Sequence, residues 1–63
     1  MQSKIMYVNY IDEHLHKKLY ITKSGIVPEK GSFVTIKERT YKVVLIVFFL
    51  GDSTDYVDVF LEG

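Results

Sequence analysis

The stretch that decides the fold is residues 32–50, which read SFVTIKERTYKVVLIVFFL. Its two apolar runs are rich in β-branched and aromatic residues that recur mostly with a period of two, which is typical of β-strands. The polar pair Glu38 and Arg39 separates the runs and predicts a tight turn. We therefore expect a β-hairpin, with one strand over residues 32–37 and a long strand over residues 40–50.

The rest of the chain follows the same pattern. Residues 5–11 and 18–22 predict the first two strands, and the polar residues 12–16 between them have the length of a hairpin connection. Residues 51–54 predict another turn, and residues 55–61 predict the last strand. Five short strands, several of them joined by tight turns, must curl to enclose a core.

We therefore expect one domain over residues 1–63, an all-β fold built as a small five-stranded antiparallel SH3-like barrel. Its longest irregular segment, residues 23–31, contains two glycines and the single proline of the chain. The alternative is an α+β fold with a short helix near residues 12–20, in which Asp12 would be the N-cap. Such a helix would have little more than two turns and would be marginal without strong packing.

The composition limits how so small a domain can be stabilised. The chain has 63 residues and no cysteine, which excludes disulfides and thiolate metal sites and fits a reducing cytoplasm. A chain of this length buries only about 60% of the surface that its unfolded form exposes, so an efficient core or oligomerisation must support it. The longest apolar run, residues 43–50, is too short to span a membrane, and no signal peptide is recognisable. We expect a cytoplasmic protein.

The charges balance overall but are unevenly distributed. The sequence has eight basic and eight acidic residues, a formal net charge of zero. Residues 17–42 contain seven basic residues and two acidic ones, whereas residues 43–63 contain four acidic residues and no basic one. A basic segment of this kind can steer an anionic partner to one face, or can pair with an acidic neighbouring strand.

Residues 27–62 have spaced proline, glycine and apolar residues. The pattern is Pro28-x-x-Gly31-x-x-Val34-x-Ile36, followed by Tyr41-x-Val43 and by Val57-x-Val59-x-Leu61. It resembles many short proteins of bacteriophages and prophages, which are of similar size and are expected to form small SH3-like β-barrels. The resemblance implies a phage or mobile-element origin and a small accessory role in the host cytoplasm. It transfers no catalytic residue.

The long strand over residues 40–50 is apolar on both sides if its side chains alternate strictly. Such a strand is buried on both faces, or it bends so that both halves contribute to one core. Because contiguous exposed apolar surface usually marks an interface, we expect a homo-oligomer, most simply a dimer, or a host protein to cover the second face. The residues of this interface are predicted to be Val44, Ile46, Phe48, Leu50, Tyr56 and Phe60.

Two further groups of side chains are candidates for ligand or partner contacts. Tyr20 and Phe33 are expected to be aromatic contacts for a partner protein. A basic group could hold a small anionic ligand, such as a signalling nucleotide, between subunits, or could follow the phosphates of a nucleic acid. This basic group consists of Lys18, Lys37, Arg39 and Lys42.

The patterns that would indicate catalysis or metal binding are weak. Asp12, His14 and His16 alternate, but no further strong ligand is identifiable, and solvated histidines in a hairpin connection are the simpler interpretation. No serine lies in a Gly-x-Ser-x-Gly pattern, and a Cys-His pair is impossible without cysteine. Lys30 and Gly31 lead into a strand, whereas a phosphate-binding loop leads into a helix. We expect no catalytic residue, metal or cofactor.

The sequence thus predicts a non-enzymatic binding module, an accessory protein that inhibits or sequesters a host protein. The first alternative is a sponge for a small anionic nucleotide bound between subunits. The second alternative is a small nucleic-acid-binding β-barrel.

Overall fold

A computed structural model describes residues 4–63 of the chain. Its five strands are β1 (Ile5–Asp12), β2 (Lys17–Lys23), β3 (Phe33–Ile36), β4 (Arg39–Phe49) and β5 (Thr54–Glu62). The prediction of an all-β fold with five strands is confirmed. Within residues 4–63, no helix is long and apolar enough to cross a membrane.

The alternative prediction, an α+β fold with a short helix near residues 12–20, is wrong. Residues 13–16 form a turn, and β2 begins at Lys17. One oxygen of the Asp12 carboxylate accepts hydrogen bonds from the backbone amides of His14, at 2.9 Å, and Leu15, at 3.1 Å. His16 then has a left-handed backbone with φ of 53°, which reverses the chain into a hairpin.

The strands form a single sheet in the order β2-β1-β5-β4-β3, and this sheet curls strongly into a half-barrel. The pairs β1–β2, β3–β4 and β4–β5 are antiparallel, as expected for an SH3-like barrel. The central pair differs from the antiparallel arrangement predicted, because β1 and β5 run parallel from Ile5 opposite Thr54 to Asp12 opposite Leu61. The first and last strands of the chain therefore lie together in the middle of the sheet.

The concave face of the sheet forms the core. Val27, from the long connection between β2 and β3, packs against this core. The end of that connection extends the β3–β4 pairing, since the Gly31 amide donates to the Val43 carbonyl at 2.8 Å. The buried apolar residues of the core are Val8, Tyr41, Val43, Val57, Val59 and Leu61.

A β-bulge at Val44 decides which side chains of β4 face the core. The register shifts between Val43, which pairs with Leu61, and Leu45, which pairs with Phe60. The predicted assignment of β4 side chains to the two faces, which assumed strict alternation, is therefore wrong beyond Val43. The extra residue at the bulge moves each later side chain to the face opposite the one predicted. Ile46, on the core side after the bulge, packs against the core. The strand thus bends so that both halves contribute to one core, which is one of the two arrangements considered for it.

The turn between β3 and β4 lies one residue earlier than predicted. Lys37 and Glu38 form it, with φ of 50° and 70°. Two consecutive left-handed residues are the mark of a two-residue type I′ hairpin turn, a position that asparagine and glycine usually occupy. The turn directs Lys37 and the start of β4, at Arg39, to the same end of the half-barrel as the beginning of β2.

Candidate functional site

The convex side of the sheet carries large apolar side chains in register. We term this side the outer face. Three rows of side chains cross the centre of this face from β1 through β5 to β4. The first row is Tyr7, Tyr56 and Phe49, the middle row is Asn9, Asp58 and Val47, and the last row is Ile11, Phe60 and Leu45. The middle row continues onto β2, where Ile21 pairs with Asn9.

Much of this apolar outer face is accessible to solvent. Ile21, Leu45, Phe49 and Tyr56 are 49%, 49%, 52% and 46% exposed. The rings of Tyr7 and Tyr56 stack with their centroids 5.7 Å apart and an interplanar angle of 20°, which holds the exposed Tyr56 ring in a defined orientation. A contiguous apolar surface with oriented aromatic rings is typical of a protein-binding site.

A polar pair lies at the centre of the outer face. Asn9 is buried, and its Nδ2 donates a hydrogen bond to Oδ1 of the half-buried Asp58 at 3.0 Å. The Asn9 Oδ1 atom is buried without a hydrogen-bond partner among the described residues. A buried acceptor left unsatisfied costs about 1–3 kcal/mol of stability. The pair places one amide and one carboxylate among the apolar side chains of the outer face.

The six residues predicted as an interface do not share one face. Tyr56 and Phe60 lie on the outer face. Ile46 and Phe48 lie on the core side of β4, where they pair with Val59 and Val57. The remaining two are at special positions, since Val44 is the bulge residue and Leu50 follows the end of β4.

The bulge gives the physical reason for this difference. It brings Leu45, Val47 and Phe49 onto the outer face beside Tyr56 and Phe60, in place of Ile46 and Phe48. Sequence reasoning missed these three residues because strict alternation assigns them to the core side. The doublet Val43 and Val44 contains no glycine or proline that would indicate a bulge.

The two predicted aromatic contacts lie on opposite edge strands of the sheet. Tyr20 is on β2, is exposed, and lies beside Tyr10 with ring centroids 6.1 Å apart. Burial, and to a smaller extent the charge of Tyr20, raises the pKa of Tyr10. Phe33 is on β3, is exposed, and pairs with Lys42. Tyr20 pairs with Tyr10 on the core side of the sheet, whereas Phe33 pairs with Lys42 on the convex side, so the two rings do not form one contact surface.

Three of the four predicted anion-binding residues meet at one end of the half-barrel. Lys18, Lys37 and Arg39 line a cavity of about 310 Å³ between the beginning of β2 and the β3–β4 turn. We term this cavity the basic cleft. Its remaining lining residues are Lys17, Leu19, Ile36 and Tyr41. Lys17 was not among the predicted residues, although its position next to Lys18 could have indicated it.

Lys42 does not belong to the basic cleft. It pairs with Phe33 on one side and Glu62 on the other, whereas Tyr41, the preceding residue, faces the core. Alternation along β4 before the bulge therefore places Lys42 on the convex side of the sheet.

A second cavity, of about 470 Å³, adjoins the basic cleft and shares Arg39 with it. The Arg39 guanidinium lies over the ring of Tyr41, 5.4 Å from its centroid. Three acidic residues and one arginine are in the lining of this cavity, which consists of Asp12, Glu13, His14, Leu15, Arg39, Glu62 and Gly63. In residues 4–63, no group of three or more histidine, cysteine, aspartate or glutamate side chains is arranged to hold a metal ion.

Comparison with known proteins adds no functional assignment. No family model matches the chain, and neither a curated protein nor a solved structure matches it. The outer face and the basic cleft are therefore the features from which a function can be argued.

Proposed function

We propose that this domain is a non-enzymatic binding module that docks a partner protein on its outer face. The observation that carries the proposal is the group of apolar and aromatic side chains across β1, β5 and β4, which surrounds the polar pair Asn9 and Asp58 and extends to Ile21 of β2. The resemblance to phage and prophage proteins suggests the biological form of this activity, which is the inhibition or sequestration of a host protein in the cytoplasm.

The size of the outer face suits a protein partner. A specific interface buries about 800 Å² on each partner. The chain has an accessible surface of 4801 Å², so such an interface would cover about one sixth of it. One side of a five-stranded sheet offers a share of this order, because neighbouring strands lie about 4.8 Å apart and each contributes several outward side chains.

The polar pair defines the chemistry of the partner. The carboxylate of Asp58 is half-buried at the centre of the outer face, and its only side-chain hydrogen-bond partner in the described part of the chain is Asn9. A partner that desolvates this carboxylate must supply a donor, because a buried unpaired charge is strongly unfavourable. We therefore expect an apolar partner surface with a lysine or arginine opposite Asp58.

This chemistry favours a different protein over a second copy of the chain. A two-fold axis through the centre of the outer face would bring two Asp58 carboxylates together, and like charges in a desolvated interface repel. The homo-oligomer expected from the sequence stays a prediction, which the mass of the purified protein tests directly.

The test uses two adjacent phenylalanines. The tagged chain and its variants Phe49→Ser and Phe48→Ser are used to capture proteins from the native host. The captured protein is then purified and titrated by calorimetry against each variant. Phe49 lies on the outer face and Phe48 on the core side, yet both are about half exposed, so Phe48→Ser controls for the loss of an exposed phenyl ring.

We expect the chain and Phe48→Ser to bind the captured protein equally, with weak salt dependence, and Phe49→Ser to bind at least about tenfold more weakly. Equal binding by all three proteins would contradict the proposal. If Phe48→Ser alone weakened binding of the captured protein, the docking site would be assigned to the core side of β4. A dimer that sedimentation detects, and that Phe49→Ser dissociates, would assign the outer face to a second copy of the chain.

A further inference from the structure

We propose that the basic cleft binds a small phosphorylated molecule of about the size of one nucleotide. This goes beyond protein docking, because the cleft is lined by residues of β2, the end of β3, the β3–β4 turn and the start of β4, and it contains none of the residues that define the outer face. The two sites can therefore be tested separately.

The cleft gathers cations from three separate segments. Lys17 and Lys18 come from β2, Lys37 from the β3–β4 turn and Arg39 from β4. Its volume of about 310 Å³ lies at the lower end of the range of small-molecule sites, which is about 300–1,000 Å³. A cleft of this size has room for a ligand with one ring system and a short phosphate chain.

Among residues 4–63, none of the four cations of the cleft forms an ion pair with a carboxylate, although Asp12 lies opposite Lys17 in the β1–β2 pairing. In the described part of the chain, the single ion pair joins Lys4 to Asp55 at 3.3 Å, far from the cleft in the fold. Four cations that line one concavity without ion-pair partners create a positive potential there. An anion with at least two charges would complement this potential.

One cation has a backbone conformation that disfavours its residue type, and another is oriented by an aromatic ring. Lys37 has a left-handed backbone with φ of 50°, where an asparagine or glycine would be favoured, so the turn keeps a lysine at a cost in stability. Arg39 is placed over the Tyr41 ring at 5.4 Å. A guanidinium oriented in this way can form paired hydrogen bonds to a phosphate group.

The surroundings of the cleft favour a compact ligand over a nucleic acid. Asp12, Glu13 and Glu62 line the adjoining cavity, so the positive surface ends at Arg39. A nucleic acid strand needs a basic track that continues over several phosphates. The apolar side chains of Leu19 and Ile36 in the cleft wall provide a contact for the non-phosphate part of a small ligand.

The experiment measures binding of adenosine diphosphate, inorganic pyrophosphate and adenosine to the full chain, by calorimetry and by the shift of the melting temperature. The cleft variant is Lys18→Gln with Lys37→Asn, in which asparagine suits the left-handed position and protects folding. The control variant is Lys30→Gln with Lys42→Gln. Each removes two positive charges, but neither Lys30 nor Lys42 lines the cleft.

We expect adenosine diphosphate and pyrophosphate to bind and to raise the melting temperature, and adenosine not to bind. The cleft variant should lose at least about tenfold in affinity while the control variant retains it. No binding at about 1 mM of either phosphate compound, or equal loss in both variants, would overturn the proposal.

A third probe separates the small ligand from a nucleic acid. A single-stranded DNA of 12 nucleotides that binds more tightly than adenosine diphosphate, with a salt slope that corresponds to several phosphates, would overturn the small-ligand proposal. If no phosphate compound binds the cleft, the docking test is unaffected, because it compares Phe48→Ser with Phe49→Ser and neither substitution changes a residue of the cleft. Failure of docking likewise leaves adenosine diphosphate binding unchanged.

Discussion

Phe48 and Phe49 are neighbours in the chain and are almost equally exposed, at 54% and 52%, but they lie on opposite sides of the sheet. Phe48 pairs with Val57 of the core, and Phe49 pairs with Tyr56 of the outer face. Since side chains alternate along a strand, the bulge at Val44 alone decides which of the two rings joins the aromatic surface. This relationship makes the pair a matched set of probes.

We predict that Phe48→Ser and Phe49→Ser each lower the free energy of unfolding by only about 1 kcal/mol. A ring that is half exposed in the folded state contributes about half of the burial energy of a core phenylalanine. Chemical denaturation of both variants measures this. As a reference, Val57→Ala, at a fully buried position, should cost about 2 kcal/mol. A larger loss for Phe49→Ser than for Val57→Ala would show that Phe49 supports the fold itself.

The turn between β4 and β5 gives a second prediction. A Cβ atom added at Gly51 would collide with the backbone carbonyl oxygen of Thr54, whereas one added at Gly25 meets no atom within 4 Å. Gly51→Ala should therefore lower the free energy of unfolding by about 1–3 kcal/mol, because the backbone of the turn must shift. Gly25→Ala, the matched control, should be neutral or slightly stabilising. Thermal unfolding compares them, and equal melting temperatures would contradict the prediction.

The left-handed residues of the β3–β4 turn predict a stabilising substitution. Glu38 has φ of 70°, which costs a residue with a Cβ about 1–2 kcal/mol. Glu38→Gly removes this strain and should raise the free energy of unfolding by about 1 kcal/mol, or the melting temperature by about 4–8 °C. Glu29→Gly removes the same charge in an irregular exposed segment and should not stabilise. An increase in both variants would point to the charge and not to the turn.

The polar pair on the outer face predicts a separation of stability from binding. Asn9→Val with Asp58→Val removes the buried Asn9 Oδ1 acceptor that has no partner, so this double variant should be as stable as the natural chain or more stable by about 1 kcal/mol. Asp58→Val alone leaves the Asn9 Nδ2 donor without its acceptor and should be destabilising. Denaturation curves measure both, and the double variant should bind the partner protein more weakly. A double variant less stable than Asp58→Val would contradict this account.

The positions of the strands were predictable from the sequence, whereas the pairing of β1 with β5 and the curl of the sheet were not. The alternation of Val57, Val59 and Leu61 with polar neighbours is a local signal, so β5 was predicted to within one residue at each end. The parallel pairing of β1 with β5 joins strands far apart in the chain, and no local pattern encodes it. The same holds for the basic cleft, because the curl of the sheet alone brings Lys18 close to Lys37.

The outer face was partly predictable for a related reason. Tyr56 and Phe60 follow from the alternation of β5, which is regular throughout. Phe49 depends on a bulge between two valines, and valine suits a regular strand as well as a bulge, so the residue types carry no information about the shift.

Acid should destabilise the β4–β5 turn through Asp55. The backbone amide of Gly51 donates to Asp55 Oδ1 at 3.0 Å, and this hydrogen bond, with a smaller contribution from Lys4 at 3.3 Å, lowers the pKa of Asp55 below its ordinary value of 3.8. A carboxyl group whose pKa is lower in the folded state stabilises the fold at every pH above the unfolded pKa. This contribution disappears as the pH falls from about 4 through the folded pKa.

The free energy of unfolding, measured by urea denaturation between pH 7 and pH 2, should therefore decrease over that acid range. Asp55→Asn should be less stable than the natural chain at pH 7 and should approach it at pH 2. Asp52→Asn changes an exposed carboxyl group in the same turn and controls for charge. A constant difference between Asp55→Asn and the natural chain at all pH values would show that the carboxylate charge does not hold this turn.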